Sequence, residues 1–273
     1  FLLYEDDGTV QQCIDTAMDE APFLTAVDDF DVDNRVWRLS DPDAVTRIHT
    51  AMRDRALFIA DGHHRYETSR VYARANPDDP AAQYTLAMCV NINSPLVVLP
   101  THRTVRGSEG FTPAGLREAL AEDFALQSSA GPDAMRATVD MADAPCIGVY
   151  DGEGYLTATV RGDAAMKAAA SDASDEWRAL DVAVLHTLII EKALAISRTD
   201  TEHGGKVGYH RDPHDAIIAV DAGEAQCAFF VKNTSPAQLC AVARNGEVMP
   251  QKSTDFYPKL ISGLVMYALD GHH

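Results

Sequence analysis

No run of eighteen consecutive apolar residues occurs in this chain, so no membrane-spanning helix is expected. No basic-then-apolar leader opens it either. It begins with Phe1 inside a strand-like FLLY, which leads us to expect further residues upstream. Cysteine is sparse and scattered. Cys13, Cys89, Cys146, Cys227 and Cys240 form no CxxC pair, which argues against a disulfide framework or zinc knuckle and fits a reducing cytoplasm. Cys89 in LAMCV and Cys227 in AQCAFF have apolar neighbours and are expected in the core. Lysine is scarce, six against 17 arginines, and the net charge is −18. Such acidity repels a polyphosphate backbone and removes nucleic acid from the expected partners. The GxxxxGK[ST], GxGxxG and GxSxG patterns are all missing, which excludes the simplest nucleotide-loop and hydrolase assignments.

The most informative stretch is ADGHHRYETS, residues 60–69. The apolar run Ala56–Ala60 reads as a strand, and Tyr66–Asn76 reads as a helix with Val71, Tyr72 and Ala75 on one side. A strand, an Asp-Gly turn and a helix start bring unpaired backbone N–H groups toward an anion. His63, His64 and Arg65 add cationic donors, and the planar guanidinium fork matches phosphate oxygens. Asp-Gly is also an ordinary turn dipeptide. Cations at a helix N-terminus oppose the macrodipole, however, a conflict that a bound anion removes. The reading requires a concave basin lined by these donors.

With 273 residues, 46% of them apolar, the chain can form one large domain or two smaller ones. The element order predicts a mixed α+β fold, with a boundary near Gly107–Pro113. Val36–Leu39 reads as a strand. Ser40-Asp41-Pro42 starts a helix whose buried stripe is Val45, Ile48 and Met52. Tyr84–Ile92 and Leu96–Val105 read as strands joined by a hairpin at Asn93-Ser94-Pro95, which would bring residues after Pro100 near the first motif. Helices are expected over Leu116–Phe124, Met135–Ala142 and Leu180–Ile196. Cys146–Tyr150 and Tyr155–Val160 should form a hairpin. A strand, helix, strand and helix follow at Val207–His210, Pro213–Val220, Gln226–Val231 and Ala237–Arg244.

Two further clusters carry candidate chemistry. In Leu99-Pro100-Thr101-His102-Arg103, a regular strand sends His102 and Arg103 to opposite faces, so one pocket takes only one of them. The run from Met249 to Lys259 combines Pro250, Lys252, Ser253 and Thr254, side chains that can hold an oxyanion or simply cap a helix. His186 reads as a core residue of the long helix. His203, His210 and His214 lack metal-ligand spacing. His272 and His273 resemble a tag remnant.

ADGHHRYET, LPTHR, GEAQ with its apolar strand, and MPQKST followed by FYPKL together resemble the domain of unknown function 1015 family, over nearly the whole chain. Asp255 departs from that pattern, where Tyr is usual. The first motif is in turn similar to the phosphate turn of the ParB/sulfiredoxin superfamily, which includes kinases that phosphorylate free serine with ADP or ATP. The resemblance implies a ParB/serine-kinase-like nucleotide-binding region over 1–107 and a second α/β region over 108–273. It places Gly62, His63, His64 and Arg65 at the phosphates, with Glu67 and Thr68 on the same helical turn. Asp61 is given Mg²⁺ or the acceptor hydroxyl.

A nucleotide-dependent phosphotransferase acting on a small hydroxylated metabolite is therefore expected, since that chemistry needs positioning and charge neutralisation. Asp61 and His64 are its catalytic candidates. His102, Arg103, Lys252, Ser253 and Thr254 are candidate substrate or phosphate contacts. A nucleotide-binding switch without transfer is the alternative, as in ParB-type proteins that bind CTP, and a homodimer would accompany it. A metal-dependent phosphohydrolase built from Asp61, His63 and His102 is the third reading.

Overall fold

The computed structural model describes residues 1–28, 31–202, 205–257, 261 and 263–269. His203, Pro258, Lys259, His272 and His273 lie outside the described residues. The fold is mixed α+β, divided into a first unit of 1–96 with 258–273 and a second unit of 97–257. The Gly107–Pro113 segment falls inside the second unit.

The first unit runs β1 (Leu2–Tyr4), α1 (Thr9–Met18), β2 (Leu24–Val27), β3 (Asp33–Val36), α2 (Pro42–Met52), β4 (Phe58–Ile59), α3 (His63–Ala75) and β5 (Cys89–Asn91). Its three-stranded sheet has the order β4-β1-β5, with β1 antiparallel to β4 and parallel to β5. Leu3, Tyr4, Val10, Cys13, Ala44 and Phe58 are buried there.

Several expectations for this unit are corrected. The strand placed at Val36–Leu39 lies at Asp33–Val36 and pairs with Leu24–Val27. The intervening turn sets that register, since Asp28 Oδ1 accepts the Val32 N–H at 3.0 Å. Asp41 caps α2 as anticipated, accepting the Ala44 N–H at 3.0 Å. The helix nevertheless turns Ala44 inward, with Ile48 and Met52 half-buried, and leaves Val45 exposed. The Tyr84–Val105 hairpin does not form. Tyr84–Met88 forms no strand, because β1 is three residues long and matches only Cys89–Asn91. Cys89 is accordingly exposed rather than in the core. Likewise α3 buries no residue, and Val71 is 64% exposed.

The second unit runs β6 (Val97–Leu99), β7 (His102–Val105), α4 (Pro113–Asp123), β8 (Phe124–Ser129), α5 (Pro132–Met141), β9 (Cys146–Tyr150), β10 (Tyr155–Val160), α6 (Ala164–Ala169), α7 (Asp175–Arg178), α8 (Asp181–Val184), α9 (Arg198–Glu202), β11 (Val207–His210), α10 (Pro213–Asp221), β12 (Cys227–Phe230), α11 (Pro236–Arg244) and β13 (Asp255–Tyr257). Six strands form an antiparallel sheet in the order β11-β7-β12-β9-β10-β8. The long helical pattern is present as α8 continuing into a π-helix, Leu185–Ala193. It is buried from Asp181 to Ile190 and clusters with Val105, Val149, Val207 and Phe229. Met135, Ala216, Val220, Ala228 and Phe230 form a second cluster. The C-terminal strands and helices form close to their anticipated positions because short Pro-started helices and apolar runs mark them locally. β6 pairs instead with β13, a partner beyond the reach of any local pattern.

Candidate functional site

The first motif is built by a change of backbone hand. After β4, Ala60 is buried and Asp61 leads to Gly62, whose φ of +86° is the left-handed conformation that glycine adopts without steric cost. The Tyr66 N–H then donates to the Gly62 carbonyl at 3.0 Å, the first helical bond of α3. Arg65 folds back over the turn. A Cβ on residue 62 would lie 2.9 Å from its Nη2 and 3.0 Å from its Nε. Asp61 Oδ1 accepts the Gly62 N–H at 2.9 Å, and Oδ2 lies 3.4 Å from Arg65 Nη2. Gly62 has no side chain to cap α3, and among the described residues no side chain accepts from the N–H groups of His63, His64 or Arg65. The N–H groups of His63, His64 and Arg65 therefore lack the intrahelical partners that later residues have.

The rest of the turn faces solvent. His64 is fully exposed, its Nδ1 3.8 Å from Glu67 Oε2. His63 and Glu67 are exposed as well. The Thr68 hydroxyl donates to the His64 carbonyl at 2.8 Å, within the helix. A cleft of about 720 Å³ in this unit is lined by Asp6, Asp7, Gly8, Gln11, Asn91, Asn93, Ser94 and Pro95, outside the first motif. The helix start is thus an exposed cationic rim. Residues 44–76 contain six arginines against three carboxylates, a local positive excess in a chain of net charge −18.

A second strand-to-helix junction, undetected from sequence, provides an internal control. β1 leads through Asp6-Asp7-Gly8 into α1, and Gly8 is also left-handed, with φ +96°. There the helix start is filled by the chain's own carboxylates. Asp6 accepts from the Gly8 and Val10 N–H groups at 3.1 and 2.9 Å, and Asp7 accepts from Thr9 at 3.2 Å. The signal was available in LLYEDDGT, an apolar run followed by Asp-Gly. One junction is self-capped by acids, whereas the other is uncapped and ringed by cations.

The second and third clusters belong to the other unit and are joined to each other. Asp255 and Phe256 pair with Leu99 and Val98. His102 and Arg103 leave β7 on opposite faces. His102 lies against the Phe230 ring at 5.4 Å, and its ring nitrogens have no hydrogen-bond partner among the described residues. Burial, followed by the positive charges of Arg136 and Arg103, pushes its pKa down to about 4. Burial likewise pushes His186 down to about 3. Arg103 is wholly buried. It donates to the carbonyls of Thr101, Gln251 and Lys252, the last two at 3.2 and 3.0 Å. Its guanidinium carbon lies 5.5 Å from the centre of the Tyr209 ring. Lys252 is exposed and left-handed, with φ +54°. Ser253 is buried and donates to the Pro250 carbonyl, while Thr254 is half-buried. Asp255 is ion-paired with Arg211, which gives the unusual acid a partner.

Among the described residues, no group of three or more His, Cys, Asp or Glu side chains could hold a metal ion. His210 is instead hydrogen-bonded to Thr104 at 3.0 Å. No described helix is long and apolar enough to cross a membrane.

Residues 1–183 match the family described as "Protein of unknown function (DUF1015)". The chain belongs to this family. Its first two motifs lie inside the matched region, and the Lys252 motif lies beyond it. No curated protein matches the chain. Among solved structures, it is similar to a free serine kinase in complex with AMP, at 15% identity and a TM-score of 0.42, covering 93% of this chain and 82% of that one. The ADP complex of a variant of that kinase gives 12% and 0.41 with the same coverage. A conserved hypothetical protein from Pyrococcus furiosus gives 13% and 0.42, covering 93% and 85%. Similarity at this level identifies neither the fold nor the activity of the present chain.

Proposed function

We propose that this protein binds the phosphates of ATP or ADP at the start of α3 and transfers a phosphoryl group to a small hydroxylated metabolite, such as a free amino acid of the serine type. The observation that carries the reading is the contrast between two left-handed glycine junctions. The Gly8 junction is closed by Asp6 and Asp7, whereas the Gly62 junction is uncapped and has Arg65 lying over it. An anion at the second would accept from the N–H groups of His63–Arg65 and satisfy the positive end of the helix.

In this reading the turn is of the ParB/sulfiredoxin type. Gly62 permits close backbone approach, Arg65 and His63 neutralise phosphate oxygens, and His64 takes the proton of the acceptor hydroxyl. Glu67 and Thr68 line the same helical turn. Within the second unit, Lys252 with Ser253 and Thr254 beside it offers a substrate or phosphate contact of its own. His102 and Arg103 have essentially no exposed surface from which to touch a ligand.

Asp61 leads into the turn and keeps its Oδ2 off the backbone, so Mg²⁺ would be held by Asp61, nucleotide phosphates and water. The ion would supply charge neutralisation between phosphate oxygens. A hydrolytic metal centre gains no support, because the described residues offer no three-ligand group.

The test is calorimetric titration of ADP and ATP with Mg²⁺ into the wild type and Arg65→Ala, followed by incubation with labelled ATP and a metabolite pool. The reading expects binding that Arg65→Ala abolishes, together with label transferred to a hydroxylated product. Unchanged affinity in Arg65→Ala would remove the phosphate role. Binding without transfer, accompanied by a nucleotide-dependent dimer, would leave only the switch.

A further inference from the structure

We propose that the first unit carries both halves of a dimer interface, the last two turns of α3 on one copy meeting the β2–β3 ribbon on a second copy of this chain. Neither element has enough packing of its own. α3 is 13 residues long and buries none of them, whereas isolated helices shorter than about 12–15 residues are marginal in water. β2 and β3 form a two-stranded sheet separate from β4-β1-β5, and a lone two-stranded ribbon is marginal as well.

Each face has an apolar centre. Beside α3, the segment 84–88 forms no strand and is tied to the helix by a 3.2 Å contact between the Ser69 and Thr85 hydroxyls. Val71, Tyr72, Tyr84, Leu86 and Met88 are all exposed there. On the ribbon side, Met18, Phe23, Leu24 and Val27 are exposed. Apolar groups gathered in this way, rather than scattered singly, mark a surface that another surface covers.

The charges decide which surface that is. Residues 5–34 carry ten carboxylates and no lysine or arginine, whereas residues 44–76 hold six arginines against three carboxylates. On α3, Arg70 and Arg74 are exposed one turn apart, with Arg70 over the Tyr66 ring at 5.8 Å. Beside the ribbon, Asp19, Glu20 and Asp31 are exposed. The ribbon's own cations are engaged, Arg35 with Asp33 at 3.5 Å and Arg38 over the Phe23 ring at 4.5 Å. Among the described residues, Arg70, Arg74, Asp19, Glu20 and Asp31 have no ion-pair partner. A cationic apolar face and an acidic apolar face on one chain complement each other and repel their own kind. Two copies about a twofold axis therefore make the contact twice, which doubles the area and closes the assembly at a dimer. The Gly62 turn lies at the other end of α3, so the contact requires no nucleotide.

The test is analytical ultracentrifugation of the full chain without nucleotide, between about 0.01 and 1 M salt, over which the Debye length falls from about 30 to 3 Å. A dimer at low salt that dissociates as salt rises is expected. Arg70→Glu with Arg74→Glu puts acid against acid, and Asp19→Lys with Glu20→Lys puts base against base. Each pair of reversals should raise the dimer dissociation constant by about ten- to a hundredfold, since several weak ion pairs become repulsions. Mixing the two reversed proteins should restore a dimer containing one of each, because both contacts are then complementary again. All four positions are exposed, so unchanged melting midpoints separate lost association from lost folding. A wild type that stays monomeric at low salt would overturn the proposal. So would a dimer that the reversals leave intact, which places the second copy elsewhere. Two disrupted variants that fail to pair on mixing would overturn it as well, because the two faces then do not meet.

Discussion

Replacing Gly62 by alanine tests the phosphate reading at the point of greatest structural leverage. Two costs arise. The left-handed backbone at φ +86° penalises any Cβ by about 1–2 kcal/mol. The new methyl would also lie within 2.9–3.1 Å of the Arg65 guanidinium, which must swing away because it is the flexible partner. The first cost lowers stability. The second removes Arg65 from the helix start, forfeiting a charge-assisted hydrogen bond worth about 1.5–3 kcal/mol, with the lower end appropriate to an exposed guanidinium. At about 1.4 kcal/mol per decade, ADP affinity should fall roughly tenfold. Gly8→Ala is the matched control. Its φ of +96° carries the same backbone penalty, yet a Cβ there meets nothing within 4 Å. Both variants should lose similar melting temperature, and only Gly62→Ala should lose affinity for ADP by calorimetry. Equal ADP affinities in wild type, Gly62→Ala and Gly8→Ala would refute the placement of phosphate at this turn.

His102 is held neutral by burial, with its pKa near 4 against an ordinary value near 6.5, so the unfolded chain binds the additional proton first. Its contribution to stability is complete above about pH 6.5 and declines as pH falls toward 4, by up to about 1.4 kcal/mol per pH unit. His102→Gln should flatten the melting midpoint between pH 6.5 and 4.5, and an unchanged slope would count against the buried neutral state. In Gly208→Ala the new Cβ would run into the Thr104 hydroxyl, lowering stability by about 1–3 kcal/mol. Adding Thr104→Ala should recover part of that loss in a denaturant melt, and a fully additive double variant would disprove the clash.

Legibility followed the range of the interactions. The start of α2 was readable at Asp41-Pro42 because a cap and a fixed proline φ act within three residues. The β9–β10 hairpin was readable because its turn and both strands are contiguous. The misplaced hairpin after Tyr84 shows the opposite case. YTLAMCVN has strand composition, yet a strand exists only where a partner does, and β1 offers three residues. The exposure of Val71 and Tyr72 was unreadable for the same reason, since an apolar stripe does not say what covers it.

At the candidate site, neighbouring residues alone dictate the local geometry. Asp-Gly before a helical pattern gives a left-handed glycine at Gly8 and Gly62 alike, and Ala60 standing where the other junction has Asp6 leaves the α3 start without that acid, because the forces involved span four residues. Long-range packing supplies the rest. It joined LPTHR to PQKST through β6 and β13, buried Arg103 under Tyr209, and left the first motif on an exposed rim. Burial of a charge depends on which distant segments pack over it, and those contacts leave no periodic trace in the residues they cover.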